Sequence, residues 1–210
     1  MGLTVFLQGQ DNKRVVVDFV AVAWWFIGFF WFAQLQTWVD LDLNLAVKGI
    51  IGAIFLIGGA LFSFIIVGVN WDKFFSLSEL INQGLPGVVI GLLGAVVVNL
   101  IVVGSGVFDS PVPINSATFA VLMGTVGEET LLRGALLTTL SKMYGDLVGI
   151  FGSTIVGTLI HSVIYGDASA SMLSVFGSFL FFGIGYVYSR YRLSVPMTCH
   201  AIFNLLASMG

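Results

Sequence analysis

The sequence predicts an all-α, polytopic transmembrane bundle of about seven spans, and three observations lead there. Hydrophobic residues make up 58% of the chain and charged residues only 9%, whereas a soluble domain carries about a quarter charged residues to solvate its surface. Long apolar runs, most of them near the roughly 20 residues that a helix needs to cross a hydrocarbon core, recur along the chain, separated by short polar breaks. The 26 glycines supply the small surfaces that let membrane helices approach each other closely.

The runs cover residues 15–35, 43–69, 86–108, 117–140, 147–165, 172–188 and 195–209. The breaks between them carry turn chemistry, as in Asn70-Trp71-Asp72, Asn82-Gln83-Gly84-Leu85-Pro86, Asp109-Ser110-Pro111 and Gly166-Asp167. The seventh run is the shortest. As a helix it reaches only roughly 22 Å, less than a hydrocarbon core of about 30 Å. Within the bundle, Gly87 and Gly91 form a Gly-xxx-Gly pair, and Gly149, Ser153 and Gly157 make a stripe of small residues that leads, one turn on, to His161. Met1 to Arg14 lacks the apolar core of a cleavable signal. No repeat or domain boundary is visible, so one membrane domain is expected over 1–210: three spans without a motif in 1–116, then a core in 117–210.

Charge gives an orientation. Lys13 and Arg14 precede span one, Lys73 follows span two, Lys142 follows span four, and Arg190 with Arg192 follow span six, while the other loops carry Asp40, Asp42, Asp109 and Asp167. The positive-inside rule then places the N-terminus in the cytoplasm and, with seven spans, the C-terminus outside. A net charge of −3 gives no basic surface for nucleic acid. The single Cys199 forms no intramolecular disulfide.

Ionisable groups within apolar spans are costly and mark function or a buried ionic contact. Glu128 and Glu129 are adjacent, so on a helix they point about 100° apart. Glu129 and Arg133 are four apart and can pair on one face, as a buried knot that holds helices together. Glu128 is left over, a carboxylate suited to taking a proton from water and returning it. His161, taken alone, reads more plainly as a packed histidine bonded to a backbone carbonyl. His200 and Asn204 share a helical face, and an amide beside an imidazole can stabilise an oxyanion; the plainer reading is a polar contact between helices, worth about 1 kcal/mol. Only two histidines occur in the chain. Together with an unpaired Glu and an Asn, they are the parts needed to turn water against an amide bond.

The order Glu128-Glu129-xxx-Arg133, His161, then Gly185-Tyr186-Val187-Tyr188-Ser189-Arg190 leading through Pro196 to His200-xxx-Asn204 resembles the CPBP family of intramembrane proteases, over roughly 121–204. That family includes CAAX endopeptidases that trim prenylated proteins, and bacteriocin-processing or self-immunity proteins. The resemblance implies a CAAX-protease-like core formed by the last four spans. It implies that Glu128 and His161 hold and activate the water and that His200 and Asn204 stabilise the oxyanion or position the scissile carbonyl, with Glu129 and Arg133 in support. The family has Phe four residues before the second motif's His; this chain has Gly157. The expected partners are the lipid bilayer and a membrane-anchored peptide or protein, prenylated or bearing a leader. The first three spans carry no motif that says whether they gate the cavity or bind a partner membrane subunit.

A Zn2+ ion would need Glu128, His161 and His200 as its ligands with a fourth position open. The same groups can act without a metal, and the metal-free route is favoured. Two other readings stand beside proteolysis: a non-proteolytic membrane chaperone or immunity protein of the same fold, and a small transporter relaying protons through Glu128 and the histidines. Counted along straight spans, Glu128, His161 and His200 differ in depth by roughly 10 Å or more. Either span five runs past Tyr165, or the chain around Leu193 to Pro196 re-enters so that the last helix starts deep.

Overall fold

A computed structural model of the chain describes residues 84–102, 104, 116–165 and 169–209, with positions 54 and 58. Span one, which rests on residues 15–35, span two, which rests on 43–69, apart from positions 54 and 58, and the end of span three lie outside the described residues. Among the described residues every regular element is helical. These elements are α1 (Leu85–Val102), α2 (Ser116–Glu129), a π-helix (Thr130–Leu137), α3 (Thr138–Tyr144), α4 (Asp146–Tyr165), α5 (Ser169–Tyr188) and α6 (Ser194–Met209). The observed helices agree with the apolar runs to within a few residues, because a long apolar segment bounded by Gly, Asp or Pro has little choice but to satisfy its backbone internally.

Span four departs from expectation. Instead of one regular α-helix over 117–140, the chain widens into a π-helix at Thr130, directly after the Glu pair, and returns to α geometry at Thr138. Thr138 Oγ1 donates to the carbonyl of Arg133 at 2.9 Å, a five-residue reach that suits the wider turn. All eight residues of the π-helix are buried, so neighbouring elements hold it on every side. Gly145 then ends α3 with φ of 94°, and its N–H reaches the carbonyl of Ser141 at 2.9 Å. A positive φ at the residue after a helix is what glycine permits without strain.

α1 shows how the helices pack. Gly87, Gly91, Ala95 and Asn99 form its buried face, while Leu85, Val89, Leu93, Val97 and Ile101, also at four-residue spacing, are exposed. An added Cβ on Gly87 would lie 2.7 Å from the carbonyl oxygen of Gly185 in α5, and one on Gly91 would lie 2.9 Å from Cys199 Sγ in α6. The Gly-xxx-Gly pair thus seats α1 against two helices. α4 repeats the pattern: Leu147, Phe151, Ile155 and Leu159 are exposed, while Gly149, Ser153 and Gly157 are buried. α1 is long and apolar enough to cross a membrane.

The turn from α5 to α6 settles how the last helix begins. Arg190 and Tyr191 both take positive φ, 57° and 63°, a left-handed pair uncommon for residues with side chains. Backbone bonds of 2.9 Å from Arg190 N–H to the Val187 carbonyl and from Tyr191 N–H to the Tyr186 carbonyl pin it. The tyrosine hydroxyl of Tyr191 also bonds the carboxylate of Asp146 at the start of α4. That acceptor and partial burial, burial being the larger effect, hold the Tyr191 phenol above its ordinary pKa. Leu193 and Val195 are fully buried, so α6 starts inside the protein; α4 is described as far as Tyr165.

Candidate active site

Glu129 is the hub of the polar cluster, and it is completely buried along with Arg133. Its Oε1 accepts from Arg133 Nη1 at 3.2 Å, the pair expected from the four-residue spacing. The same oxygen accepts from His200 Nδ1 at 2.7 Å. Among the described residues Glu129 Oε2 has no hydrogen-bond partner. Arg133 reaches further, giving Nη2 to the backbone carbonyl of Phe179 in α5 at 2.8 Å. One carboxylate and one guanidinium therefore tie α2, the π-helix, α5 and α6 together.

A second bond runs parallel to the first. Asn204 Nδ2 donates to Thr125 Oγ1 at 3.0 Å. Thr125 precedes Glu129 by four residues and Asn204 follows His200 by four, so α2 and α6 run antiparallel with two polar rungs about one helical turn apart. The side-chain amide has two N–H donors, and Thr125 engages one of them. Thr125 had no place in the sequence reading. Its four-residue offset from Glu129, mirrored by that of Asn204 from His200, is the signal that finds it.

His161 Nδ1 lies 2.9 Å from the carbonyl of Gly157 in its own helix. A carbonyl only accepts, so Nδ1 carries the hydrogen and, in the neutral ring, Nε2 carries the lone pair. This is the backbone-bonded histidine of the plainer reading, yet its tautomer is also that of a base. His161 packs edge to face on Phe179, with ring centroids 5.0 Å apart. His200 packs on the same phenyl at 5.8 Å and stacks on Phe182 at 5.1 Å.

The two imidazoles thus meet across one ring, and the depth difference counted along straight spans does not separate them. Straight spans omit the π-helix, the deep start of α6 and the way helices cross. The absent aromatic at Gly157 is also explained. An added Cβ there would stand 2.5 Å from the ring of Phe179, so an aromatic from α5 fills the place beside His161. The small-residue stripe in α4 admits that ring at its Gly157 end.

Glu128 is half-buried and among the described residues has no hydrogen-bond partner. No group of three His, Cys, Asp or Glu side chains among the described residues is gathered so that it could hold a metal ion. Glu128, His161 and His200 therefore do not make a zinc set as they stand, and no step below passes through a metal.

A family model described as type II CAAX prenyl endopeptidase Rce1-like matches residues 110–206. No curated protein and no solved structure matched the chain. The match takes in the Glu pair, both histidines and Asn204, in the order from which the resemblance was drawn. The match over residues 110–206 is consistent with the CPBP resemblance.

Proposed function

We propose that the protein is an intramembrane endopeptidase that hydrolyses a peptide bond of a membrane-associated substrate, prenylated CAAX-type or leader-bearing, without a metal. The observation that carries this reading is the pair of rungs between α2 and α6. They hold His200 and Asn204, one imidazole and one amide on a single face, against the helix that bears Glu128. With Nδ1–H given to Glu129, His200 presents Nε2 to a substrate, and in the imidazolium form Nε2–H is a donor. The second N–H of Asn204 is the other donor for an oxyanion.

In this mechanism Glu128 and His161 hold a water molecule, and Glu128 takes a proton from it as its oxygen bonds to the scissile carbonyl carbon. The carbonyl π bond breaks and its oxygen becomes the oxyanion that His200 and Asn204 stabilise. On collapse the C–N bond breaks, and the proton held by Glu128 passes to the departing amine. Glu129 and Arg133 touch no reacting atom; they orient His200 from behind.

The surface supports a lipid setting. The exposed stripes of α1, from Leu85 to Ile101, and of α4, from Leu147 to Leu159, are Leu, Val, Ile and Phe, and small residues stand on the inner faces. Helices that meet through glycine and turn large apolar groups outward are packed for a bilayer. We place the N-terminus in the cytoplasm and the C-terminus outside, on the charge pattern of the loops.

The experiment is cleavage of a membrane-anchored, prenylated peptide by wild type, Glu128→Ala and His200→Ala in lipid vesicles, with a melt of each variant. Both substitutions are expected to abolish cleavage while the fold persists; activity retained by either overturns the mechanism. A second reading draws on the complete burial of the Glu129–Arg133 pair: a non-proteolytic chaperone or immunity protein that keeps this knot for stability. It predicts no cleavage by wild type and full partner protection by Glu128→Ala.

A further inference from the structure

Phe179 packs against both histidines. Its ring meets His161 at 5.0 Å with an 85° interplanar angle and His200 at 5.8 Å with 73°. The guanidinium carbon of Arg133 lies 4.5 Å from its centroid. Its own backbone carbonyl receives Arg133 Nη2 at 2.8 Å, so the backbone and the ring of one residue are both fixed by one guanidinium. Its exposure is 2%, and the ring sits in the notch of Gly157, where a Cβ would come within 2.5 Å of it. A phenyl ring has two torsions, and this one is confined from α4, the π-helix and α6 at once.

We propose that Phe179 is a positioning residue, a wedge between α4 and α6 that sets where the imidazoles of His161 and His200 stand relative to each other. The proposal rests on the proteolytic reading for its kinetic consequence, though not for its structural one. Two groups that act on one scissile bond must keep their separation, since a misplacement of about 1 Å can cost on the order of 100-fold in rate. The Phe179 ring is a contact that the two imidazoles share.

The test uses Phe179→Leu, Phe179→Tyr and the double variant Gly157→Phe/Phe179→Ala in the full chain, with two readouts. The first is NMR of histidine-labelled protein in detergent micelles, where only two imidazoles contribute. Phe179→Leu removes the ring current and is expected to move the ring-proton signals of both histidines, while Phe179→Tyr leaves both near their wild-type positions. The second is cleavage of the membrane-anchored peptide: for Phe179→Leu, kcat is expected to fall about 10- to 100-fold with KM within about twofold. The double variant supplies the ring from α4 instead, and its kcat is expected to exceed that of Phe179→Leu.

Signals of only one histidine moving, or of neither, overturn the proposal. So does a kcat that falls only in step with the folded fraction. If Phe179→Leu does not fold, Phe179→Tyr and the double variant carry the same test, because both keep an aromatic wedge and must keep both histidine signals near their wild-type positions. If wild type cleaves nothing, the proteolytic reading fails by itself, and the NMR arm still decides whether the Phe179 ring contacts both imidazoles.

Discussion

Where α1 meets α5, backbone meets backbone: a Cβ on Gly87 would lie 2.7 Å from the Gly185 carbonyl oxygen, and one on Gly185 would lie 2.6 Å from that of Gly87. Where α2 meets α6, the helices are joined by Glu129 to His200 and Thr125 to Asn204. The first contact gains dispersion from close approach and needs no polar partner. The second sets charged and polar groups in a dry interior, where an intact cluster contributes little net stability and a broken one costs heavily. A bundle that needed only to hold together has the glycine solution available, as α1 and α5 show. That the same chain carries the expensive solution at α2 and α6 points to chemistry there.

The largest effect is therefore expected at Glu129. Glu129→Ala leaves Arg133 buried with the Phe179 carbonyl and no carboxylate, and the stability lost is about 3–5 kcal/mol, read as a fall in melting temperature in detergent. Glu129→Gln keeps an acceptor and is expected to lose less. A Glu129→Ala protein that melts with wild type would erase the distinction drawn between the two interfaces.

Gly185→Ala strikes the other interface. Its new Cβ meets backbone, which cannot rotate away as a side-chain tip would, and overpacking of this kind costs about 1–3 kcal/mol. Cleavage per folded molecule is expected to stay at the wild-type level, because the atoms nearest that Cβ belong to Gly87 and Gly91 and not to a site residue. A drop in kcat that exceeds the loss of folded protein would show the two interfaces to be coupled.

The difference between the interfaces also marks what the sequence made legible. Gly87 and Gly91 stand out by spacing alone, and the ends of α4, α5 and α6 follow from apolar runs closed by Gly145, Tyr188 and the Leu193 region. The Glu129–Arg133 pair is local, four residues apart, and was foreseen. The bond of Glu129 to His200 joins positions 71 residues apart, and helix periodicity places each on a face without saying which faces meet. The π-helix at Thr130–Leu137 was hidden for a related reason: a segment buried on every side has no exposed face whose spacing would betray a change from 3.6 residues per turn. Phe179 was hidden among 19 phenylalanines, and only the space beside Gly157 distinguishes it.

A finer test lies at Thr125. Thr125→Val keeps the shape of the side chain and removes the acceptor of the Asn204 amide, a bond worth about 1 kcal/mol. If Asn204 must be held to meet an oxyanion, kcat falls by about fivefold, the rate equivalent of that energy, with KM and melting temperature nearly unchanged. A change in melting temperature with kcat intact would make this rung a fastening and nothing more.

The smallest effect is expected at Asn99, which puts a polar group on the glycine side of the comparison. Asn99 is buried on α1, donating to the Ala95 carbonyl at 2.8 Å and to Ser178 Oγ at 2.7 Å and accepting from Ser174. Asn99→Leu removes these bonds, yet Ser178 already gives its hydroxyl to the Ser174 carbonyl at 3.0 Å, and a serine in a helix can turn its hydroxyl back to its own backbone. Little is stranded, so the loss should be about 0.6 kcal/mol, the usual value for such contacts between membrane helices, with cleavage unchanged. A large loss of activity on Asn99→Leu, measured on the same peptide, would extend the functional surface to α1 and move the boundary between scaffold and site.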